Sequence, residues 1–423
     1  MNTDDNFAAR LLGAPKPANP AINELRVLHL LRSRGALSRA DIARHTNLTK
    51  ATASRLIAEL ENHNLVREVG PRTQRRGRRP ILYEFNTASA VALGVEVRQN
   101  ECQAVVTELD ATPLRSYVEP LPDHQVGTFM QVLSQIVEQV RADFPQHLVG
   151  IGIGIPGIYD YQQRVVILAE RMEWVNLDLV RQIRERLSLD VYVVNRANAA
   201  ALGEKWYGAG RGREDLVFLH IGSGIKAGLI VDGELYWGSN GSAGEIGHMT
   251  LAADGPVCVC GKRGCLEALA STQAILERLK ALARAGRAET LVARLDHSVE
   301  ALTRPEVLLA AHAGDPTVLE VLHEAATYIG IGVANLINFF NPERVILGGV
   351  VAQTPAVFLD TIKAVAARHA FEIPWRATEI VAAELGQEAV AIGAAALLLS
   401  GYLQPSRAVL SAALFETQPT AVG

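Results

Sequence analysis

Three of the four cysteines, Cys258, Cys260 and Cys265, fall within eight residues, and His248 stands ten residues before the first of them. One imidazole and three thiolates form a closed tetrahedral set for Zn²⁺, with no open position for a catalytic water. Gly255, Gly261 and Gly264 let the chain fold tightly around that centre. A structural zinc on His248, Cys258, Cys260 and Cys265 is therefore expected; free buried thiols are the alternative. Two further segments carry polar groups where a ligand could use them. Gly222-Ser223-Gly224-Ile225-Lys226-Ala227-Gly228 follows a strand pattern and reads either as a phosphate cradle of backbone N–H groups or as a tight hairpin turn. Val194-Asn195-Arg196-Ala197 lies where a strand pattern passes into a helix, which points Asn195 and Arg196 into a crevice. Cys102 sits inside a strand pattern and reads as plain core.

A different chemistry is expected near the N-terminus. Residues 21–87 hold 13 Lys or Arg against 6 Asp or Glu, leaving 28 basic and 39 acidic residues elsewhere in a chain of net charge −4. A basic module on an acidic body suggests nucleic acid bound at one end. Apolar spacing predicts three short helices, Ile22–Arg34, Arg39–His45 and Thr49–His63, with Gly35 closing the first and Ser38 and Thr49 capping the others. The third helix sets Ala53, Leu56, Ile57 and Leu60 on one face and Lys50, Thr52, Ser54 and Arg55 on the other. Short polar and basic side chains there suit base edges and phosphates in a major groove. Two strands, Leu65–Val69 and Pro80–Phe85, flank a loop with five arginines and no acid. Its Arg75, Arg76, Arg78 and Arg79 read as a wing able to enter a minor groove. With Ser38 added at the turn, these residues make a candidate DNA surface on a winged helix-turn-helix.

The elements that must hold the crevice follow from Ala90 onward. Strand and helix patterns alternate in two halves, which predicts a two-lobed α/β body with ligands at the strand ends. The expected division is a flexible segment over 1–20, the DNA reader over 21–87, the body over 88–402 and a flexible tail over 403–423. At 423 residues, 49% hydrophobic and 20% charged, the composition is that of a soluble globular protein rather than a disordered one. No run of 18 apolar residues predicts a membrane span, and the first twenty residues lack a signal-peptide layout. Four cysteines in so long a chain are too few for a disulfide framework, so a reducing, cytoplasmic setting is expected.

Gly244-Glu245-x-Gly247-His248, followed by Cys258-x-Cys260-Gly261-x-x-Gly264-Cys265-x-Glu267, resembles the signature of the ROK family (repressor, open reading frame, kinase). The resemblance runs from about Ile22 to Leu399. It implies a body of the actin-like ATPase and sugar kinase type, zinc on the four residues above, and sugar contacts from Glu245, His248 and Glu267. His248 would then give one ring nitrogen to the metal and turn the other toward the sugar. Pro156-Gly157 matches the family's turn beside the sugar. Asn341-Pro342-Glu343-x-x-Val345-Ile346-Leu347-Gly348-Gly349 matches a motif that leads toward the kinases' nucleotide site, and equally fits a plain helix-to-strand connection.

Departures from the family pattern separate enzyme from regulator. The kinases hold ATP phosphates on an acid-x-Gly-Gly-Thr loop, whereas here Glu96 is followed by Val97-Arg98-Gln99-Asn100. Their Asn-Asp pair, whose Asp takes the sugar's proton, is Asn195-Arg196 here, and arginine stays protonated at neutral pH. Lys226 stands where the kinases prefer glycine. The expectation is a non-enzymatic, sugar-responsive repressor that reads a palindromic operator as a homodimer or dimer of dimers. An active kinase with a fused reader, or a regulator controlled by a protein partner, are the alternatives. Arg171, near the position of a family sugar contact, and Arg196 together suggest an anionic sugar derivative as effector. Internal pairing of both with Glu170, Glu173 or Glu204 would leave a neutral-sugar site.

Overall fold

The computed structural model describes residues 20–71, 80–161, 163–169, 172–239, 241–294 and 299–402. The wing arginines Arg75, Arg76, Arg78 and Arg79, together with Glu170, Arg171 and the segments 1–19 and 403–423, lie outside these residues.

The reader begins with the helix Pro20–Arg34, two residues earlier than the apolar spacing predicts because proline suits a helix's first turn. Gly35, at φ +73°, closes it, its N–H donating to the Leu31 carbonyl. Helices Arg39–Thr46 and Lys50–Asn62 follow, capped by the Ser38 and Thr49 hydroxyls. A small antiparallel sheet orders Leu37–Ser38, Ile81–Phe85 and Val66–Pro71. Val27, Leu28 and Leu31 of the first helix pack with Ile42, Leu56, Ile57 and Leu60, so the apolar stripe of each helix meets the others in one core.

The body has two lobes, each built on a five-stranded mixed sheet. In the first, the order is Asp190–Asn195, His147–Ile155, Ala90–Val97, Glu101–Glu108, Pro113–Pro120, with parallel pairing among the first three and antiparallel hairpins after them. In the second it is Glu234–Leu235, Ile225–Val231, Leu216–Ile221, Arg344–Gly349, Glu379–Ala382, again with one antiparallel side and one parallel side. The edge strand Pro113–Pro120 escapes a reading by periodicity because its residues are mostly exposed. A further three-stranded sheet of Ile158–Asp160, Val165–Ala169 and Trp174–Leu177 also lies outside the strands the sequence predicts.

Two helices join the lobes. Arg196–Tyr207 leaves the end of the first sheet, and Ala389–Tyr402 lies across strands Ala90–Val97 and His147–Ile155. The latter contact needs glycine. A methyl group at Gly94 would meet the Ala391 carbonyl at 1.8 Å, and one at Gly152 the Ala394 carbonyl at 1.9 Å. Ala90, Leu109, Val149, Leu398 and Leu399 of the body are buried in the same cluster as the reader's core. Cys102 is fully buried in its strand, as expected.

Candidate functional site

The motif Gly244–His248 is pressed onto the hairpin Leu216–Val231. The Ala227 N–H donates to the Gly244 carbonyl at 2.8 Å. A Cβ at Gly244 would meet the Ala227 carbonyl at 2.0 Å, and one at Gly247 the Ile225 carbonyl at 2.1 Å. Glycine at both positions therefore lets the loop lie flat and lift Glu245 beside Lys226, whose Nζ is 2.5 Å from Glu245 Oε1. Glu267, on the first turn of the short helix Leu266–Ala270, accepts the Ile225 N–H at 2.9 Å. The glycine-rich segment 222–228 is thus a hairpin turn into the strand Ile225–Val231, with a carboxylate on its backbone.

The knuckle that follows brings four donor atoms together. Those of His248, Cys258, Cys260 and Cys265 all lie within 4.8 Å of one another. The Cys258 sulfur is 3.6 Å from His248 Nδ1, and the Cys260 and Cys265 sulfurs are 3.7 Å apart. These separations match the edges of a tetrahedron, about 3.5–3.8 Å, drawn around a metal with bonds of roughly 2.3 Å to sulfur and 2.0–2.1 Å to nitrogen. The set could hold a metal ion, bound through Nδ1 of His248. The chain between Cys258 and Cys265 folds back in a tight turn in which the Cys258 N–H donates to the Lys262 carbonyl at 2.7 Å.

Asn195 ends a strand and caps the helix after it. Its Oδ1 accepts the Ala197 N–H at 2.9 Å, and its Nδ2 donates to the Gly157 carbonyl at 2.6 Å. Gly157 has φ +98°, and a Cβ there would meet the Leu168 carbonyl at 2.1 Å, so the turn Pro156-Gly157 admits no side chain. Asn195, Arg196, Glu245, His248, Glu267 and Gly157 all border one cavity of about 950 Å³. This is within the size of small-molecule sites. The six expected effector contacts that fall among the described residues are therefore gathered in one place, and Arg171 lies outside those residues.

Arg196 pairs internally with an acid that the alternative reading did not name. It is Glu96, at 2.7 Å, whose side chain is 2% exposed. Glu204 is buried elsewhere and accepts the N–H groups of Ala209, Glu384 and Leu385. Arg98 closes on the same Glu96 at 2.8 Å, pairs with Glu101 at 2.7 Å, and donates to the Gln387 carbonyl at 2.8 Å. Burial lowers Arg98's pKa, but the facing carboxylates outweigh it and hold the guanidinium charged. His220, on the cavity wall, is pushed down to about 3 by its enclosure and by the charges of Arg196 and Arg98. The imidazole is neutral. Reasoning from sequence missed the roles of Glu96 and His220. The signal for Glu96 was present: an acid near a strand end with an arginine two residues after it.

On the reader, Thr49, Lys50 and Arg55 are exposed and Thr52 and Ser54 half-buried along one side of the helix Lys50–Asn62. Thr49 Oγ1 accepts the Thr52 N–H at 3.1 Å, and Arg55 pairs with Glu59 at 2.8 Å. Ser38 is different. It is 5% exposed, and its hydroxyl accepts the Asp41 N–H and donates to the Asp41 carboxylate. That residue is taken up by its helix cap, and the candidate DNA face consists of the other five described residues.

Residues 92–400 match the ROK family over well over half of the chain. The chain belongs to the ROK family. Residues 19–77 match the MarR family, in keeping with the winged helix at that end. The xylose repressor of Caldicellulosiruptor bescii is 33% identical over 386 residues, covering 90% of this chain and 96% of that protein. The crystal structure of a ROK family transcriptional regulator, a homologue of the Escherichia coli MLC protein, superposes with a TM-score of 0.79 at 26% identity, covering 92% of this chain and 98% of that one. A ROK family glucokinase from Streptomyces griseus, in complex with glucose and AMPPNP, aligns with a TM-score of 0.64 at 32% identity. It covers 99% of its own length but 73% of this chain. So the body is shared with kinases, and the whole length, reader included, with a regulator.

Proposed function

We propose that this chain is a sugar-responsive transcriptional repressor. Its reader binds operator DNA through Thr49, Lys50, Thr52, Ser54 and Arg55, with the wing arginines Arg75, Arg76, Arg78 and Arg79 as further contacts. Its cleft binds a sugar through Glu245, His248, Glu267, Asn195 and the Gly157 turn. The effector changes operator affinity to the extent that it binds two states of the protein differently. The reading as a homodimer on a palindromic operator follows from the geometry of helix-turn-helix readers. The single observation that carries the non-enzymatic reading is the Arg98–Glu96–Arg196 cluster. A guanidinium stands where the kinases carry a proton acceptor, and it is bound to a buried carboxylate.

Zinc fits the donor set of His248, Cys258, Cys260 and Cys265, and those residues would hold it in a closed site. When bound, it fixes the knuckle that carries Glu267 and orients the His248 ring, leaving Nε2 for the sugar. The effector is read as neutral. Arg196 is matched by Glu96 and Lys226 by Glu245, so Glu267 is left as an uncompensated charge among these groups.

Thermal unfolding of the zinc-loaded chain against neutral sugars, sugar phosphates and sugar acids tests the effector reading, since a ligand that binds only the folded state raises the midpoint by mass action. Genomic fragments selected on the immobilised protein, with and without the sugar so found, test the repressor reading. Recovery of one palindromic sequence that the sugar releases is expected. A midpoint raised only by charged ligands overturns the neutral effector. Sequence-independent recovery overturns the operator.

A further inference from the structure

The helix Arg196–Tyr207 begins at the cavity and ends at the reader. Its first residue borders the cavity and holds Glu96 at 2.7 Å. Its twelve residues span about 18 Å. At its far end the guanidinium carbon of Arg32, in the last turn of the reader's first helix, lies 4.2 Å from the centre of the Trp206 ring. Tyr207 and Asp110 also face that guanidinium. Trp206 and Tyr207 pack on the cluster that contains Val27, Leu28 and Leu31 of the same reader helix, and Leu56, Ile57 and Leu60 of the helix offered to DNA.

Between its ends the helix is held stiffly. A Cβ at Gly203 would meet the Ala389 carbonyl at 2.3 Å, and one at Gly393 would meet the Ala199 carbonyl at 1.7 Å, so its backbone touches that of the helix Ala389–Tyr402. The Glu204 carboxylate accepts N–H groups from Ala209 at 2.8 Å, Leu385 at 2.9 Å and Glu384 at 3.2 Å. Close-packed helices with no slack move as one piece rather than bending. A change in how Arg196 is seated therefore moves the Trp206 end too.

We infer that Arg32 and Trp206 are positioning residues that transmit the state of the Arg196–Glu96 ion pair to the DNA reader through this helix. A ligand hydroxyl that takes a hydrogen bond from Arg196, which lines the cavity and whose Nε has no partner, reseats the helix. The Arg32–Trp206 contact then passes the shift to the helix Pro20–Arg34 and through its core to Lys50–Asn62. The inference deepens the reading of an effector-controlled regulator and rests on it for its biological use. Its test requires neither effector nor operator, so it can fail while that reading stands, and the reverse.

The test is a double-mutant cycle read by hydrogen exchange on the full-length, zinc-loaded chain. Arg196→Ala is expected to raise exchange in peptides of residues 20–34 by about fivefold or more, the low end of coupling between separate sites. Trp206→Leu is expected to raise it alone, and Arg196→Ala added to Trp206→Leu to raise it no further. Arg32→Lys, which keeps a cation over the ring, is expected to retain the response to Arg196→Ala, and Arg32→Met to lose it. Should Trp206→Leu fail to fold, Arg32→Met cuts the same contact from the reader side and takes its place in the cycle. An effect of Arg196→Ala confined to the body, or effects that simply add in the double variant, would overturn the inference.

Discussion

The two halves of the cleft treat their charged groups differently. Around Glu245, His248 and Glu267, each side chain is fixed by one neighbour and still borders the cavity. Lys226 holds one carboxylate, a hairpin N–H holds the other, and the thiol cluster holds Nδ1 of the imidazole. Around Glu96, two guanidiniums converge on one carboxylate that is 2% exposed, and one of them also reaches the Gln387 carbonyl. The first arrangement is poised to accept hydroxyl groups from a ligand. The second is largely taken up by the protein's own atoms, with Arg196 Nε left without a hydrogen-bond partner. Phosphoryl transfer needs space and donors for the phosphates and a group to take the proton. Here Arg98 and Arg196 are both paired with the one carboxylate of Glu96. The comparison teaches how one cleft can combine singly anchored polar groups that border a cavity with a carboxylate clamped between two guanidiniums.

The largest way to break the contrast is to remove the metal from the half that keeps its ligand groups. Chelation, or Cys265→Ser, is expected to unfold the knuckle and abolish sugar binding, because zinc bound by such sets contributes on the order of 10 kcal/mol to local folding. Loss of the sugar-induced rise in midpoint, with the far-ultraviolet helix signal largely kept, is the outcome to look for. On the same side, Glu267→Gln removes a charge-assisted contact worth about 1.5–3 kcal/mol. Sugar affinity measured by calorimetry should fall roughly 10- to 150-fold. On the clamp side, Arg98→Ala leaves Glu96 with Arg196 alone and frees Gln387. A loss of about 2 kcal/mol in unfolding free energy is expected, with sugar affinity little changed, since breaking a buried pair by removing one partner costs several kcal/mol when nothing else compensates. An Arg98→Ala protein that binds sugar far more weakly would merge the two halves into one site.

The smallest effect sharpens the contrast electrostatically. His220 has a folded pKa pushed down to about 3 by enclosure and by Arg196 and Arg98. The unfolded chain therefore binds a proton on this residue between about pH 6.5 and 3 that the folded protein excludes, so its contribution is fully present above that window and is lost as pH falls through it. His220→Gln should flatten the dependence of stability on pH there by up to about 1.4 kcal/mol per pH unit. An unchanged slope would mean that His220 charges without penalty and that the arginines do not face it.

Much of this was legible from residue types and spacing. The three reader helices, the parallel strands and the metal set follow from period, caps and ligand spacing, all local properties of the chain. What escaped has a common cause. The strand Pro113–Pro120 is mostly exposed, so no apolar alternation marks it. The pairing of Arg196 with Glu96 joins residues a hundred positions apart, and only the sheet order that sets His147–Ile155 between Ala90–Val97 and Asp190–Asn195 brings them together. Ser38 carried two readings of one hydroxyl, cap and DNA contact, and the structure shows the hydrogen bonds of the cap. The change of charge balance that sets off residues 21–87 gives no sign that the reader's apolar face continues into the body's core.

The measurement that bears most directly on the account is a titration of the zinc-loaded chain with the neutral sugar panel in the presence of Mg²⁺ and ATP, following binding heat and ADP release together. The account predicts saturable binding of one sugar with no ADP above the level seen without protein. ADP released in proportion to sugar would contradict it, and would show that the Arg98–Glu96–Arg196 cluster opens to admit phosphates.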